Sequence, residues 1–241
     1  AREADIAARV PSDLRWRFHE TGIATRYIEA TEGDEFVMTA CMLADQLSYS
    51  CAALASHIIL PVFFNRIVLS HLGGRERAAF LERCHKEPVI TSFAASEAAA
   101  GSDLLALETT ATRTDGGYVL RGRKEYSTNL GDAQYVIVVA RTGPADKRGS
   151  DTMSWFLVPT DTPGLRIGPR WPTFGLRAID VSPLELEDVE VPTEYLLGEE
   201  GQQILVGLHH WHPYRLAKRR TYQPSMPFSP KRRSRIRGPP S

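Results

Sequence analysis

Between Ile90 and Gly131 the chain reads ITSFAASEAAAGSDLLALETTATRTDGGYVLRGRKEYSTNLG. Two parts of this stretch could do chemistry. Ser96 to Asp103 is a run of small side chains with hydroxyls at both ends and one glycine, Gly101. No bulky side chain there keeps a flat ligand from the backbone. Lys124 to Asn129 places an aromatic ring, Tyr126, two residues before a hydroxyl, Thr128. On a strand, residues two apart share a face, so ring face, O–H and backbone N–H stand together. That set suits an aromatic heterocycle better than a metal ion or a bare phosphate.

The elements that must hold these residues follow from the surrounding pattern. Val89–Ala94 is rich in β-formers, and Asp115-Gly116-Gly117 is a hairpin signal between Thr109–Thr114 and Tyr118–Arg121. Further short strands are expected at Lys124–Ser127, Tyr135–Arg141, Ser154–Val158, Arg166–Gly168 and Leu184–Val191. Before residue 87 the period is helical. A first helix is expected at Glu3–Val10 and a second capped by Ser12-Asp13, with a stop at Thr21-Gly22. Ile23 to Thr31 shows no firm period. Phe36, Ala40, Leu43, Leu47, Cys51 and Leu54 recur at helical spacing and predict one helix from Asp34 to about His57. Pro61 is expected to interrupt, with another helix at Phe63–His71 and one more at Glu76–Lys86. The fold class is therefore α+β: helices first, then an antiparallel β-barrel, with the boundary near residue 87.

These residues also resemble a known family, the acyl-CoA dehydrogenases. The family's first signature, ending in Ala-Gly-Ser-Asp, is similar to Phe93-Ala94-Ala95-Ser96-Glu97-Ala98-Ala99-Ala100-Gly101-Ser102-Asp103. Its second is similar to Gly122-Arg123-Lys124-Glu125-Tyr126-Ser127-Thr128-Asn129. A third block follows in Phe156–Pro159, Thr162–Leu165, Gly175-Leu176-Arg177, Leu186–Pro192 and Leu197–Gly201. The resemblance implies a helical N-terminal domain over 1–87 and a β-barrel middle domain over 88–208. It also implies FAD, contacted by Phe93, Ala95, Ser96, Gly101, Ser102, Tyr126, Ser127 and Thr128, with Ser102 also touching the substrate. The implied reaction is α,β-oxidation of an acyl-CoA or acyl-carrier-protein thioester. An electron-transfer flavoprotein is the implied acceptor, and the family assembles as homo-oligomers. A flavin-dependent monooxygenase shares the fold, and a non-catalytic interaction module is the reading from another class.

The chain departs from the family in three places. Ala98 stands for a proline, Tyr126 for a tryptophan, and no family-like sequence follows Leu208. Residues 209–241 hold nine Lys/Arg, six prolines and no Asp or Glu. Such a tail is expected to be disordered, from a truncated gene or a shifted frame. Because the family's catalytic Glu belongs to the C-terminal domain, no catalytic residue is assigned. The expectation is a chain without dehydrogenase turnover, and homo-oligomers are doubtful without that domain.

Composition narrows the classes. The net charge is zero, but the tail's nine cations leave 20 basic against 29 acidic residues before it, a net of −9. The body gives no reason to expect nucleic acid. No membrane span is expected, since Cys51–Pro61, the most apolar run, is too short. Cys41, Cys51 and Cys84 are odd in number and lack CxxC spacing. This predicts reduced, mostly buried thiols and a cytoplasmic protein. Glu97 reads as structural, and His209, His210 and His212 as part of a solvated tail rather than a metal site.

Overall fold

The structure of the chain, a computed structural model, describes residues 9–29, 34–144 and 150–201. The expected helix at Glu3–Val10 lies almost wholly outside the described residues, and the expected disordered tail lies entirely outside them.

Among the described residues five helices come first: α1 (Ser12–Glu20), α2 (Ile23–Glu29), α3 (Asp34–Ser50), α4 (Ala52–His71) and α5 (Gly74–Lys86). Helix α1 does not use the expected Ser12-Asp13 cap. Pro11 is the N-cap, without a side-chain bond, and Ser12 is already helical. Its fixed φ suits the entry to a helix. Gly22, at φ 69, makes the stop. The segment without a clear period is helical as α2, its buried face made by Tyr27 and Ile28.

Two expectations fail along α3 and α4. The single helix expected from Asp34 to His57 breaks at Cys51, which is extended at φ −166 and ψ 110. Pro61 does not interrupt; it sits inside α4. An interior proline costs about 3 kcal/mol through its missing N–H and its ring. Against this, α4 buries Ile58, Ile59, Leu60, Phe63, Phe64, Ile67, Val68 and Leu69. Each such side chain contributes roughly 1.5–3 kcal/mol when fully buried, so burial wins. The same helix corrects the membrane reading. Ala52–His71, with mean hydropathy 1.7, is long and apolar enough to cross a membrane by length and composition. It carries His57, Asn65 and Arg66, all buried within the protein, as a core helix does.

Eight strands follow among the described residues: β1 (Thr91–Ala94), β2 (Thr110–Thr114), β3 (Gly117–Thr128), β4 (Tyr135–Arg141), β5 (Met153–Pro159), β6 (Leu165–Ile167), β7 (Val181–Pro192) and β8 (Leu196–Leu197). The sheet order is β6-β7-β3-β2-β4-β5-β8, with β1 paired to β4. The sheet is mixed rather than purely antiparallel. Strand β1 runs parallel to β4, from Thr91 opposite Tyr135 to Ala94 opposite Val138. Its direction is set by the helices: Thr91 Oγ1 donates to Asn65 Oδ1 (2.6 Å), and Phe93 stacks on Phe64 (5.5 Å). Strand β3 is continuous where two strands were expected. Gly122 absorbs an irregularity in register instead of ending the strand.

The core has two parts, one on each face of the sheet. Ile137, Val139, Trp155 and Leu157 pack against α4. Val136, Val138, Ala140, Phe156 and Val158 pack on the other face with Leu120, Leu184 and Val189. Alternation along β4 and β5 separates the two sets. Of the thiols, Cys84 is buried and Cys41 and Cys51 are only half-buried; among the described residues none of the three is in a disulfide.

Candidate functional site

Where β2 diverges from β4, β1 enters and its continuation lies along β3. Ser92 Oγ donates to the Thr128 carbonyl (2.8 Å), and the Glu125 N–H donates to the Ser96 carbonyl (2.9 Å). The small-residue segment and the hydroxyl-bearing strand end therefore form one seam. Along it Ser96 and Thr128 stand about three residues apart, roughly 10 Å at the rise of a strand. A three-ring heterocycle bridges such a gap.

Tyr126 and Thr128 share a face of β3, with Tyr126 59% exposed. The tyrosine ring lies 6.0 Å from Trp171, tilted by 43°, and the Trp171 indole N–H donates to the Glu125 carbonyl (2.8 Å). Ser96 and Thr128 are half-buried. Gly101 and Ser102 are exposed beside Asp103, whose carboxylate accepts from the Leu105 N–H (3.1 Å). Ala98 and Ala99, also exposed, line a shallow hollow with Thr110, Arg121 and Gly122.

Three expected site residues turn inward. Phe93 packs between Phe64 and Trp155, 5.0 Å from the latter, and Ala95 is buried in the same cluster. Ser127 is fully buried, with no partner for its hydroxyl among the described residues. These three shape the wall behind the seam, while Ser96, Ser102, Tyr126 and Thr128 are the ones reached from outside.

The segment is held by a buried ion pair whose role was not foreseen. Lys124 Nζ donates to Glu97 (2.6 Å) and to the Ala95 carbonyl (3.3 Å), and its side chain is 0% exposed. Glu97 also accepts from the Glu108 N–H (2.6 Å), the Thr109 N–H (3.1 Å) and the Thr109 hydroxyl. Burial pushes the Glu97 carboxyl up, but the Lys124 ammonium and these donors outweigh it and hold the group below the ordinary carboxylate range. Burial draws Lys124 down to about 8, against the pull of Glu97. Glu97 is thus a structural anchor for the turn that begins the ligand segment. The other carboxylates nearby are engaged as well, Glu125 by Arg123 (2.8 Å) and Asp103 by its turn. Trp171 beside Tyr126 was also missed; it lies 45 residues further along, and no local signal joins the two.

An α+β chain with a helical layer followed by a mixed eight-stranded sheet is the class that the fold defines. A profile of the acyl-CoA dehydrogenase middle domain matches residues 92–189. Over 205 residues the chain is 34% identical to cyclohex-1-ene-1-carbonyl-CoA dehydrogenase of Geobacter metallireducens, covering 83% of this chain and 53% of that protein. Cyclohexane-1-carbonyl-CoA dehydrogenase of the same organism is 34% identical over 169 residues, 70% of this chain and 43% of that protein. The structure of butyryl-CoA dehydrogenase from Megasphaera elsdenii superposes with a TM-score of 0.80 at 25% identity, covering 89% of this chain and 57% of that one. A prolyl acyl carrier protein oxidase superposes at 0.75 with 28% identity, covering 90% and 59%. The chain belongs to the acyl-CoA dehydrogenase family, and it spans about half the length of the curated relatives it matches.

Proposed function

We propose that this chain forms the flavin- and thioester-facing part of an acyl-thioester dehydrogenase. The observation that carries the reading is the seam between β1 and β3, which aligns the Ser96 and Thr128 hydroxyls beside an exposed aromatic. Among the described residues neither hydroxyl has a protein partner, so both are available to a ligand. The group that fits is FAD, which supplies the acceptor for the hydride leaving the acyl Cβ.

The residues have separate tasks. Ser96 would donate to the polar rim of the ring, where donors favour the negative charge of the reduced form. Thr128 donates from the other end of the seam. Tyr126 covers a ring face, backed by Trp171. Phe93, Ala95 and Ser127 set the wall behind, and Gly101 and Ser102 leave room for a thioester arm. The substrate class is an acyl-CoA or acyl-carrier-protein thioester. The named relatives are dehydrogenases of CoA thioesters, and one similar structure is an acyl carrier protein oxidase. In this reading the electrons pass on to an electron-transfer flavoprotein. No described residue is assigned as the base that takes the α proton.

Flavin titration tests the reading. The parent chain is expected to quench FAD fluorescence on binding. Ser96→Ala and Thr128→Val should each weaken binding by roughly 5- to 30-fold, the worth of a hydrogen bond to a polar ligand. Unchanged binding in both variants would mean that the site lies elsewhere.

A further inference from the structure

One contact joins the helical layer to the end of β3, across 72 residues of sequence. His57, on α4, is 1% exposed, and its Nδ1 lies 3.0 Å from Asn129 Oδ1. An amide oxygen only accepts, so with this pairing Nδ1 carries the hydrogen and Nε2 keeps its lone pair. Burial lowers the imidazole's affinity for a proton below its ordinary value, against Asp132, which raises it. Among the described residues Nε2 has no hydrogen bond; Asp132 Oδ2 lies 3.9 Å away, and the other oxygen of that carboxylate, Oδ1, lies 3.7 Å from Arg15.

Asn129 follows Thr128 directly and is left-handed, at φ 62 and ψ 19. Few side chains other than glycine accept that conformation, and asparagine does so most readily. The turn is held from three sides. The Asn129 N–H donates to the Asp180 carbonyl (2.7 Å), and the Gly131 N–H donates to the Asp180 carboxylate (2.7 Å). Ser92 Oγ holds the Thr128 carbonyl from β1. His57 is the third side, and it comes from a different layer.

We infer that His57 is a positioning residue: its Nδ1–H bond to Asn129 Oδ1 fixes the left-handed turn that ends β3, and with it the placement of Thr128 at the ligand edge. An apolar side chain would fill the same space without the cost of burying a ring nitrogen that has no partner. The polar contact is what justifies the histidine here. The latch stands on geometry alone; its consequence for flavin rests on the function proposed above.

Two variants separate the latch from simple packing. His57→Leu fills the space without a donor. His57→Asn puts an amide N–H at the branch position of Nδ1. Amide hydrogen exchange of the 241-residue chain, read by mass spectrometry, should show residues 126–134 exchanging at least tenfold faster in His57→Leu. Strand β5 should be unchanged, and His57→Asn should restore the parent pattern. Asn129→Gly, which keeps the backbone conformation but loses the amide, should loosen the same residues if His57→Leu fails to fold. FAD affinity should fall about tenfold in His57→Leu and recover in His57→Asn. Thr128→Val added to His57→Leu should cost nothing further. Exchange that stays at the parent rate near residue 129, or that rises equally in β5, overturns the latch. If the exchange result holds but Thr128→Val leaves FAD affinity intact, the latch stands and the flavin reading falls.

Discussion

Removing the Glu97 carboxylate is the sharpest test of how the ligand segment is built. In Glu97→Ala, Lys124, 0% exposed, loses its only carboxylate partner among the described residues and must either hold its charge unpaired or give up its proton, both at a cost. Two backbone N–H groups, of Glu108 and Thr109, and the Thr109 hydroxyl lose their acceptor as well. Breaking one side of a buried ion pair costs about 3–5 kcal/mol, mostly the penalty of the stranded charge. That is a large share of the roughly 5–15 kcal/mol that holds a domain together. With a urea slope of about 2–3 kcal/mol per molar, the midpoint should drop by roughly 1–2 M. Urea unfolding followed by tryptophan fluorescence reads this directly, since Trp155 is buried between the layers. The double variant Glu97→Gln/Lys124→Met removes both charges while keeping volume and one acceptor. It should regain most of the loss, because a buried pair replaced as a unit is often neutral or better. A loss under about 1 kcal/mol in Glu97→Ala, or a double variant no better than the single one, would refute the stranded-charge argument.

Three further outcomes follow from the same geometry. Gly122 sits at φ 149, and a Cβ there would meet Thr109 atoms at 2.5 to 2.8 Å, so Gly122→Ala should cost about 1–3 kcal/mol by overpacking and strain. A thermal melt lower by several degrees would show it. Trp155→Ala, at a site 1% exposed, should cost about 3–5 kcal/mol in urea unfolding. The third concerns pH. Burial holds His57 below the ordinary imidazole value of about 6.5. The unfolded chain therefore takes up a proton first as pH falls, and stability present above about 6.5 is lost progressively below it. Asp132, Arg15 and Asp180 are the charged groups that act on this ring. Urea midpoints should fall between pH 6.5 and 5 in the parent and fall less in His57→Asn. Equal slopes in the two proteins would remove His57 as the cause.

Much of the fold was legible because it rests on local chemistry. The Asp115-Gly116 hairpin forms where expected, joining β2 to β3, and β4 spans Tyr135–Arg141 as its β-branched run predicts. The last helix ends at Lys86 and the first strand begins at Thr91. Pro61 misled because a proline's local cost is fixed, while the gain from burying α4 depends on what surrounds it. The expected strands Tyr118–Arg121 and Lys124–Ser127 are one strand because its pairing with β7 resumes past the irregularity at Gly122. The mixed sheet was hidden because the direction of β1 depends on Asn65 and Phe64 of α4.

The sequence alone determined the switch from helical to extended segments and where small residues and hydroxyls fall along them, though not every break between elements. Periodicity, turn residues and side-chain size act within a few positions of one another, so they can be read in order. Only the tertiary structure decided the partners: Glu97 with Lys124, His57 with Asn129, Tyr126 with Trp171. Those pairings arise when distant groups lose water together and must satisfy one another in the same buried space, a condition that no local window of sequence contains.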